Sequence, residues 1–531
     1  MRTRAAVVAL LALAGEARAA ALQASIGRTA LRDLPPGLAA DEALLADLDR
    51  DGRADLVVGA HARGKDYASS VLVWSSVAEG GQARPLRLDL TPDVVAWTVG
   101  DVHPDPGAEL VLFSATSAFA WRPTASEGQR FVRLFSCDFL WQIPDPDAAF
   151  ALEQGVLDVD GDGLDDLLVP EPGGWRIALQ RRAQGAPEAD FGLQRVLRVP
   201  PEDSDWEGLG PETAGAAAVS GGSRGSTMRF AVELSGETEE AGAPATLLAI
   251  VESAPAPRLV DWDGDKRADV LAQSVEQLHV WLQREGGAFG ERPDGSFRLP
   301  VAADRKRRLD ASYSADALDL DGDRRCDVAI FAGDTRAEEV RTQLLSFLSR
   351  ASPVPGAMRN PFGERGVPQD LLVLAGFVAS ADFDDLDGDG LSELVARTVR
   401  PDLIDQLRSA ASETIDAELF AYRNIAGRMA RRPQLSWRYT VPIKAFMPTV
   451  RFLGDVTGDR LSELFVRDQP GRVQLLMMRA QGEAWTLLER PLWEGTCEPE
   501  ARVFLLRAPG RTALELVLLE DARVVHVRFG R

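Results

Sequence analysis

A nine-residue acidic loop recurs through this chain and constrains its folding more than any other feature. In Asp158-Val159-Asp160-Gly161-Asp162-Gly163-Leu164-Asp165-Asp166 the carboxylates fall at positions 1, 3, 5 and 9, and the apolar run Leu167-Leu168-Val169 follows at once. Alternate side chains of a tightly turned backbone point the same way, so the first three carboxylates can converge on one point. Glycines at positions 4 and 6 let the backbone fold round that point, because glycine takes positive φ without a Cβ penalty. Four carboxylates so crowded repel one another unless a cation lies among them. Calcium, a hard cation that accepts roughly six to eight oxygens, answers that demand.

Six more loops follow the same grammar. Their acid positions are Asp47, Asp49, Asp51 and Asp55, then Asp101, Asp105 and Glu109 with His103 at position 3, then Asp261, Asp263, Asp265 and Asp269. The remaining three are Asp319, Asp321, Asp323 and Asp327; Asp385, Asp387, Asp389 and Glu393; and Asp455, Asp459 and Glu463 with Thr457 at position 3. An EF-hand opens in the same way but needs a bidentate Glu at position 12 and flanking helices. Position 12 here is Val169 in one loop and Val58 in another. The runs after the loops, such as Asp55-Leu56-Val57-Val58 and Asp327-Val328-Ala329-Ile330, are short and rich in β-branched residues, which reads as buried strand.

Repetition also settles the domain count. A chain of 531 residues, 45% hydrophobic, has room for several domains, but stacked repeats share one architecture. Each unit reads as four short antiparallel strands; in the first these are Glu42 to Asp47, Asp55 to Ala60, Ser70 to Ser75 and Pro85 to Leu90. Trp74 in the third strand has counterparts at Trp121, Trp175 and Trp281. Four-stranded units of this kind predict the blades of an all-β propeller. An eighth, decayed copy follows, with strands at Val503 to Leu506, Ala513 to Leu519 and Val524 to Phe529 and no acid between Arg507 and Thr512. It lacks a fourth strand, which the N-terminal segment Ala21 to Thr29 can supply. Eight blades are therefore expected, with seven as the alternative, in a single domain spanning 20–531 and closed by both chain ends. Insertions are expected at about 203–257, with strands at Met228 to Leu234 and Ala245 to Val251, and at 398–418. There the spacing of Leu403, Ile404, Leu407, Ala410 and Ala411 predicts a short helix within Asp402 to Leu419.

Net charge and the chain start bear on partners and location. The formal charge of −22 argues against nucleic acid or an anionic membrane as partner. Of the 81 acids, 26 sit at the loop positions named above, so the acidity reads as demand for metal. Arg2 and Arg4, the apolar Ala5 to Gly15 and Ala17-Arg18-Ala19 form a signal-peptide pattern over 1–19, which predicts export to the periplasm, cell surface or medium. Three cysteines are too few for a disulfide framework. The four lysines are far outnumbered by arginines, a bias associated with GC-rich bacterial genomes.

The loops with their following Asp/Glu-Leu-Val strands resemble the FG-GAP and VCBS repeats of integrin α-subunit propellers and of many exported bacterial proteins. That resemblance implies that each loop joins strands A and B of a blade and holds calcium. It implies side-chain ligands at positions 1, 3, 5 and 9, with the backbone carbonyl of position 7 added, which is Arg53, Leu164, Arg267, Arg325 or Leu391. About five to seven calcium sites follow. His103 and Thr457 depart from the pattern, as do Lys266, Arg324 and Arg460 in place of glycine at position 6, where positive φ costs on the order of 1 kcal/mol. The loops therefore rank with those of Asp47, Asp158 and Asp385 first, Asp261 and Asp319 next, then Asp455, and Asp101 last.

Catalytic patterns are sparse. Gly221-Gly222-Ser223-Arg224-Gly225 matches G-x-S-x-G but lies in a low-complexity stretch without the strand and helix of a nucleophile elbow. His61, His103, His279 and His526 are scattered, and Arg305 to Arg308 is a short basic surface run. The expected role is a monomeric, calcium-stabilised, non-enzymatic scaffold that binds a protein or glycan through its loop face. A lectin-like propeller, which would use tryptophans such as Trp97, Trp141, Trp206, Trp437 and Trp493, and a polysaccharide lyase are the alternatives.

Overall fold

A computed structural model describes residues 28–63, 69–75, 84–104, 106–139, 150–152, 155–181, 190–198, 227–237, 244–255, 257–274, 277–300, 311–334, 341–349, 358–363, 365–375, 377–399, 414–442, 449–511 and 514–529. Eight antiparallel blades are arranged in a ring. The first is built from Leu38–Ala46, Asp55–Ala62, Ser69–Trp74 and Leu86–Asp89, which we name strands A to D. The second comprises Val94–Gly100, Glu109–Ser114, Ser117–Trp121 and Phe131–Ser136; Phe150–Ala151 adds a fifth strand, parallel to strand A. Blade three is Val156–Leu157, Asp166–Glu171, Gly174–Arg181 and Asp190–Arg198, and blade four Arg258–Val260, Asp269–Gln273, Gln277–Trp281 and Gly295–Arg298. Blade five is Ala311–Leu318, Asp327–Asp334, Arg341–Phe347 and Asp370–Ala375. The sixth is Phe377–Asp384, Glu393–Val399, Thr414–Tyr422 and Leu435–Pro442, and the seventh Thr449–Phe452, Leu464–Gln469, Arg472–Leu476 and Trp493–Thr496.

Both chain ends build the eighth blade. Arg502–Arg507, Leu514–Leu519 and Arg523–Arg528 supply strands A to C, and Arg28–Asp33 pairs antiparallel with Arg523–Arg528 as strand D. Closure by the N-terminal strand agrees with the sequence reading, but the strand lies later than Ala21 to Thr29, and residues 21–27 fall outside the described set. The turn after it explains the shift. Leu34 N–H donates to Ala522 O at 2.9 Å, Leu38 N–H donates to Pro35 O at 3.2 Å and Gly37 has φ 85°, so the register is set by where the first blade begins.

The core lies between blades. Strand B of the first blade turns Leu56 and Val58 toward the eighth blade, where they pack with Val517 and Val524. Val57, pointing the other way, packs with Trp97 and Leu110 of the second. Both faces of an inner strand are thus buried, which is why these strands read as continuous apolar runs despite the period-two alternation of their side chains. The same arrangement recurs at every blade boundary. Trp74, Trp121, Trp175 and Trp281 are all buried there in C strands, and so is Trp97 in a strand A, which removes Trp97 from the surface aromatics.

Residues 414–419, expected at the end of a helix, instead belong to strand Thr414–Tyr422. Ala417, Leu419 and Ala421 are buried in one cluster, so the period-two pattern of this segment prevailed over the helical spacing further upstream. Residues 402–413 lie outside the described set. Within the 203–257 stretch, Thr227–Glu237 and Pro244–Pro255 pair as a separate two-stranded sheet.

Candidate metal centres

Each acidic loop joins strand A to strand B and is tied by its own carboxylates to its own backbone. In the third blade Asp158 accepts N–H bonds from Gly161 at 2.8 Å and Gly163 at 3.0 Å, and Asp162 accepts from Leu164 at 2.9 Å. Asp319 does the same for Gly322 and Arg324, and Asp385 for Gly388 and Gly390. Position 9, the first residue of strand B, faces inward. Asp166 accepts from Val159 N–H at position 2 and from Gln180 N–H in strand C, both at 2.8 Å. Asp269 is held likewise by Trp262 and Gln283, and Glu393 by Leu386 and Asn424.

This folding brings three carboxylates together in five loops among the described residues. Asp47, Asp49 and Asp55 converge, as do Asp158, Asp160 and Asp166; Asp319, Asp321 and Asp327; and Asp385, Asp387 and Glu393. In the fourth blade the trio is Asp261, Asp263 and Asp265, with Asp269 outside it. Within each trio one oxygen from every residue lies within 4.8 Å of the others. Asp51, Asp162, Asp323 and Asp389 at position 5 are not in their trios; each accepts an N–H from position 7, from Arg53, Leu164, Arg325 and Leu391 respectively. Arg267 N–H makes the same bond to Asp265.

Two loops gather no such trio among the described residues. Asp105 lies outside them, and His103 is buried 3.0 Å from the Arg122 guanidinium, which brings a cation of the protein's own to that loop. Glu109 there accepts from Val102 and His103 N–H, and Asp101 N–H is bonded to Asp165. In the seventh blade Thr457 donates to Glu463 at 3.3 Å, while Asp455 and Asp459 serve the turn. These are the two loops that depart from the acidic pattern at position 3.

The family model described as FG-GAP repeat matches residues 41–74, which span strands A to C of the first blade and the Asp47 loop. Residues 41–74 thus match an FG-GAP repeat. Comparison with the curated proteins finds no match. Similar solved structures include BBS1N in complex with ARL6DN (8% identity over 95% of this chain and 98% of that chain, TM-score 0.34). Others are an Agrocybe aegerita lectin described as recognising non-reducing terminal N-acetylglucosamine (12%, 92% and 98%, TM-score 0.36) and the exotype rhamnogalacturonan lyase YesX (13%, 94% and 76%, TM-score 0.33). Similarities this low carry no argument about what the chain does.

In the FG-GAP blade and its counterparts the backbone meets strain where glycine is absent. Lys266, Arg324 and Arg460 at position 6 adopt φ of 72°, 68° and 77°. Arg50 at position 4 of the FG-GAP loop does so too, at 58°, a departure the loop pattern alone did not expose. Burial pushes the position-9 acids up, Asp166, Asp269, Asp327 and Glu393 to about 7 and Glu463 to about 8. The neighbouring carboxylates add to that rise, while the backbone N–H bonds oppose it.

Sequence reasoning missed the cations and amides that surround the trios. Arg181 Nη1 lies 2.5 Å from Asp160 Oδ2, and Arg423 is paired with Asp387. Asp387 Oδ1, by contrast, is buried with no hydrogen-bond partner. Gln180 and Gln283 both stand 14 residues beyond their position-9 acid, a spacing that only blades with a short B–C connection preserve.

Proposed function

We propose that this chain is an exported scaffold whose blades are pinned by calcium and whose loop face receives a protein or glycan ligand. The observation that carries the metal reading is the convergence of three carboxylates in each of five loops. The donor set is oxygen only, which suits a hard cation. Asp387 strengthens the fit, since a buried carboxylate oxygen without a donor is costly unless a cation satisfies it. Asp47, Asp49 and Asp55, and the trios of the other four loops, would hold the ion. Bound there, calcium supplies positive charge that neutralises the trio and ties strand A to strand B, so its binding energy becomes folding energy. The signal-peptide pattern over 1–19 supports export, where extracellular calcium is at the concentration that weak sites need.

Ion analysis and calcium titration calorimetry of the mature protein test the reading, and five ions per chain are the expected result. Asp166→Asn removes a carboxylate that accepts two N–H bonds, one of which would then face an amide N–H. It should lower the ion count by one and destabilise the protein by about 2 kcal/mol. Identical melting in calcium and in chelator would refute the proposal. A glycan array, with a screen for release of unsaturated sugars, separates ligand binding from turnover.

A further inference from the structure

We propose that the acidic loops are coupled in series round the ring, each position-9 carboxylate being linked to the backbone of the preceding loop. This rests on the reading that calcium occupies the loops. An observation independent of loop geometry points to an ion: Asp387, whose side chain is only 7% exposed, has one oxygen with no hydrogen-bond partner.

Every pair of adjacent acidic loops is bridged by a hydrogen bond, and the acceptor is always the carbonyl of position 1 or 2. Three bridges start from the backbone of position 8. Ala108 N–H donates to Asp47 O at 2.9 Å, Cys326 N–H to Asp261 O at 3.0 Å and Ser462 N–H to Leu386 O at 3.0 Å. The other three start from side-chain amides. Gln180 Nε2 donates to Asp101 O at 3.2 Å, Gln283 Nε2 to Val159 O at 2.7 Å and Asn424 Nδ2 to Leu320 O at 2.7 Å.

The donors share one property. Each is either the covalent neighbour of a position-9 carboxylate or a residue whose own N–H holds that carboxylate, as Gln283 N–H holds Asp269 at 2.8 Å. The acceptor end is equally well placed. Except at Asp101, whose loop gathers no trio among the described residues, residue 1 of the preceding loop is a trio member, and residue 2 lies between trio members 1 and 3. Where position 9 belongs to its own trio, as Glu393, Asp327 and Asp166 do, an ion that draws it into place therefore also orders the backbone of the loop before it. Linkage makes the effect reciprocal. The series ends at the eighth blade. There Leu514 N–H still reaches Leu453 O at 3.0 Å, but no acids follow between strands A and B.

Hydrogen exchange of the full chain during a calcium titration tests this, reading the segments 47–55, 319–327 and 385–393. Disabling the sixth-blade loop with Asp385→Asn and Asp387→Asn should raise the calcium midpoint for protection of 319–327 by about fivefold or more. The midpoint of 47–55, on the first blade, should not move. Asn424→Leu keeps the backbone N–H on Glu393 but removes the bridge to Leu320 O, and it should produce the same shift with the sixth-blade acids intact. An unchanged 319–327 midpoint in both variants overturns the coupling, as does an equal shift of 47–55, which marks general destabilisation. Absence of calcium-dependent protection in any loop of the unaltered protein overturns the calcium reading instead.

Discussion

Arg423 is paired with Asp387 through Oδ2 while Asp387 Oδ1 has no partner, so a guanidinium and an orphaned oxygen share one carboxylate. The arginine neutralises part of the sixth-blade trio and competes with any ion that takes its place. Arg423→Gln should therefore tighten calcium binding at that loop while weakening the calcium-free protein by about 1 kcal/mol, the upper end for a partly exposed pair. Paired melts with and without calcium check this. An equal loss in both conditions would mean that Arg423 acts through its packing over Trp485, 5.9 Å from the ring centroid, and not through charge.

Protons and calcium should compete for the position-9 acids. Folding raises Asp166, Asp269, Asp327 and Glu393 from ordinary carboxylate values to about 7. A group raised in this way binds its proton in the folded state while the unfolded chain has released it. Its contribution is complete below about pH 4 and is lost as pH climbs toward 7. The calcium-free protein should thus lose stability across that window. Since the ion favours the ionised form, the stabilisation that calcium brings should grow across the same interval. Denaturant titrations of metal-stripped and calcium-loaded protein at pH 5, 6, 7 and 8 measure both trends, and parallel curves would contradict the prediction.

Lys266 adopts φ of 72° at a position where the strongest loops carry glycine. Relieving the left-handed conformation gains on the order of 1 kcal/mol, and the extra freedom of the unfolded glycine offsets part of it. Lys266→Gly should stabilise the protein by about 0.5 kcal/mol. The converse Gly163→Lys, at φ 82°, should cost about 1 kcal/mol. Chemical denaturation of the two variants gives the answer directly.

Removing residues 1–33 should open the ring. Strand Arg28–Asp33 covers the edge of Arg523–Arg528, and its loss exposes a row of unpaired backbone groups at the seam between first and last blades. A lower melting temperature and concentration-dependent association are expected by scanning calorimetry and light scattering. A variant cleaved only at the 1–19 boundary should show neither.

Much of this protein was legible because its repeat is local. Asp158 and Gly163 are five residues apart, and the bond between them needs nothing beyond the loop itself. Acid spacing and the following apolar strand therefore announced the turn and seven of the blades, and the eighth, which has no acids in its loop, is legible from its strand pattern alone. Local too was the departure of the Asp101 and Asp455 loops from the acidic pattern, since His103 and Thr457 stand where a carboxylate is missing. Residues 414–419 show the limit: the helical spacing of Leu403 to Ala411 runs on into an alternating stretch, which burial against the neighbouring blade marks as strand.

What the chain determined alone was a series of oxygen-rich turns between buried strands. The tertiary structure decided which oxygens meet, that Arg181 and Arg423 stand beside Asp160 and Asp387, and that Gln283 reaches Val159 across 124 residues of sequence. It also set the closing strand at Arg28–Asp33. The reason is physical: hydrogen bonds within a loop are specified by spacing, whereas contacts between blades depend on how neighbouring sheets are placed, and no local pattern records that placement.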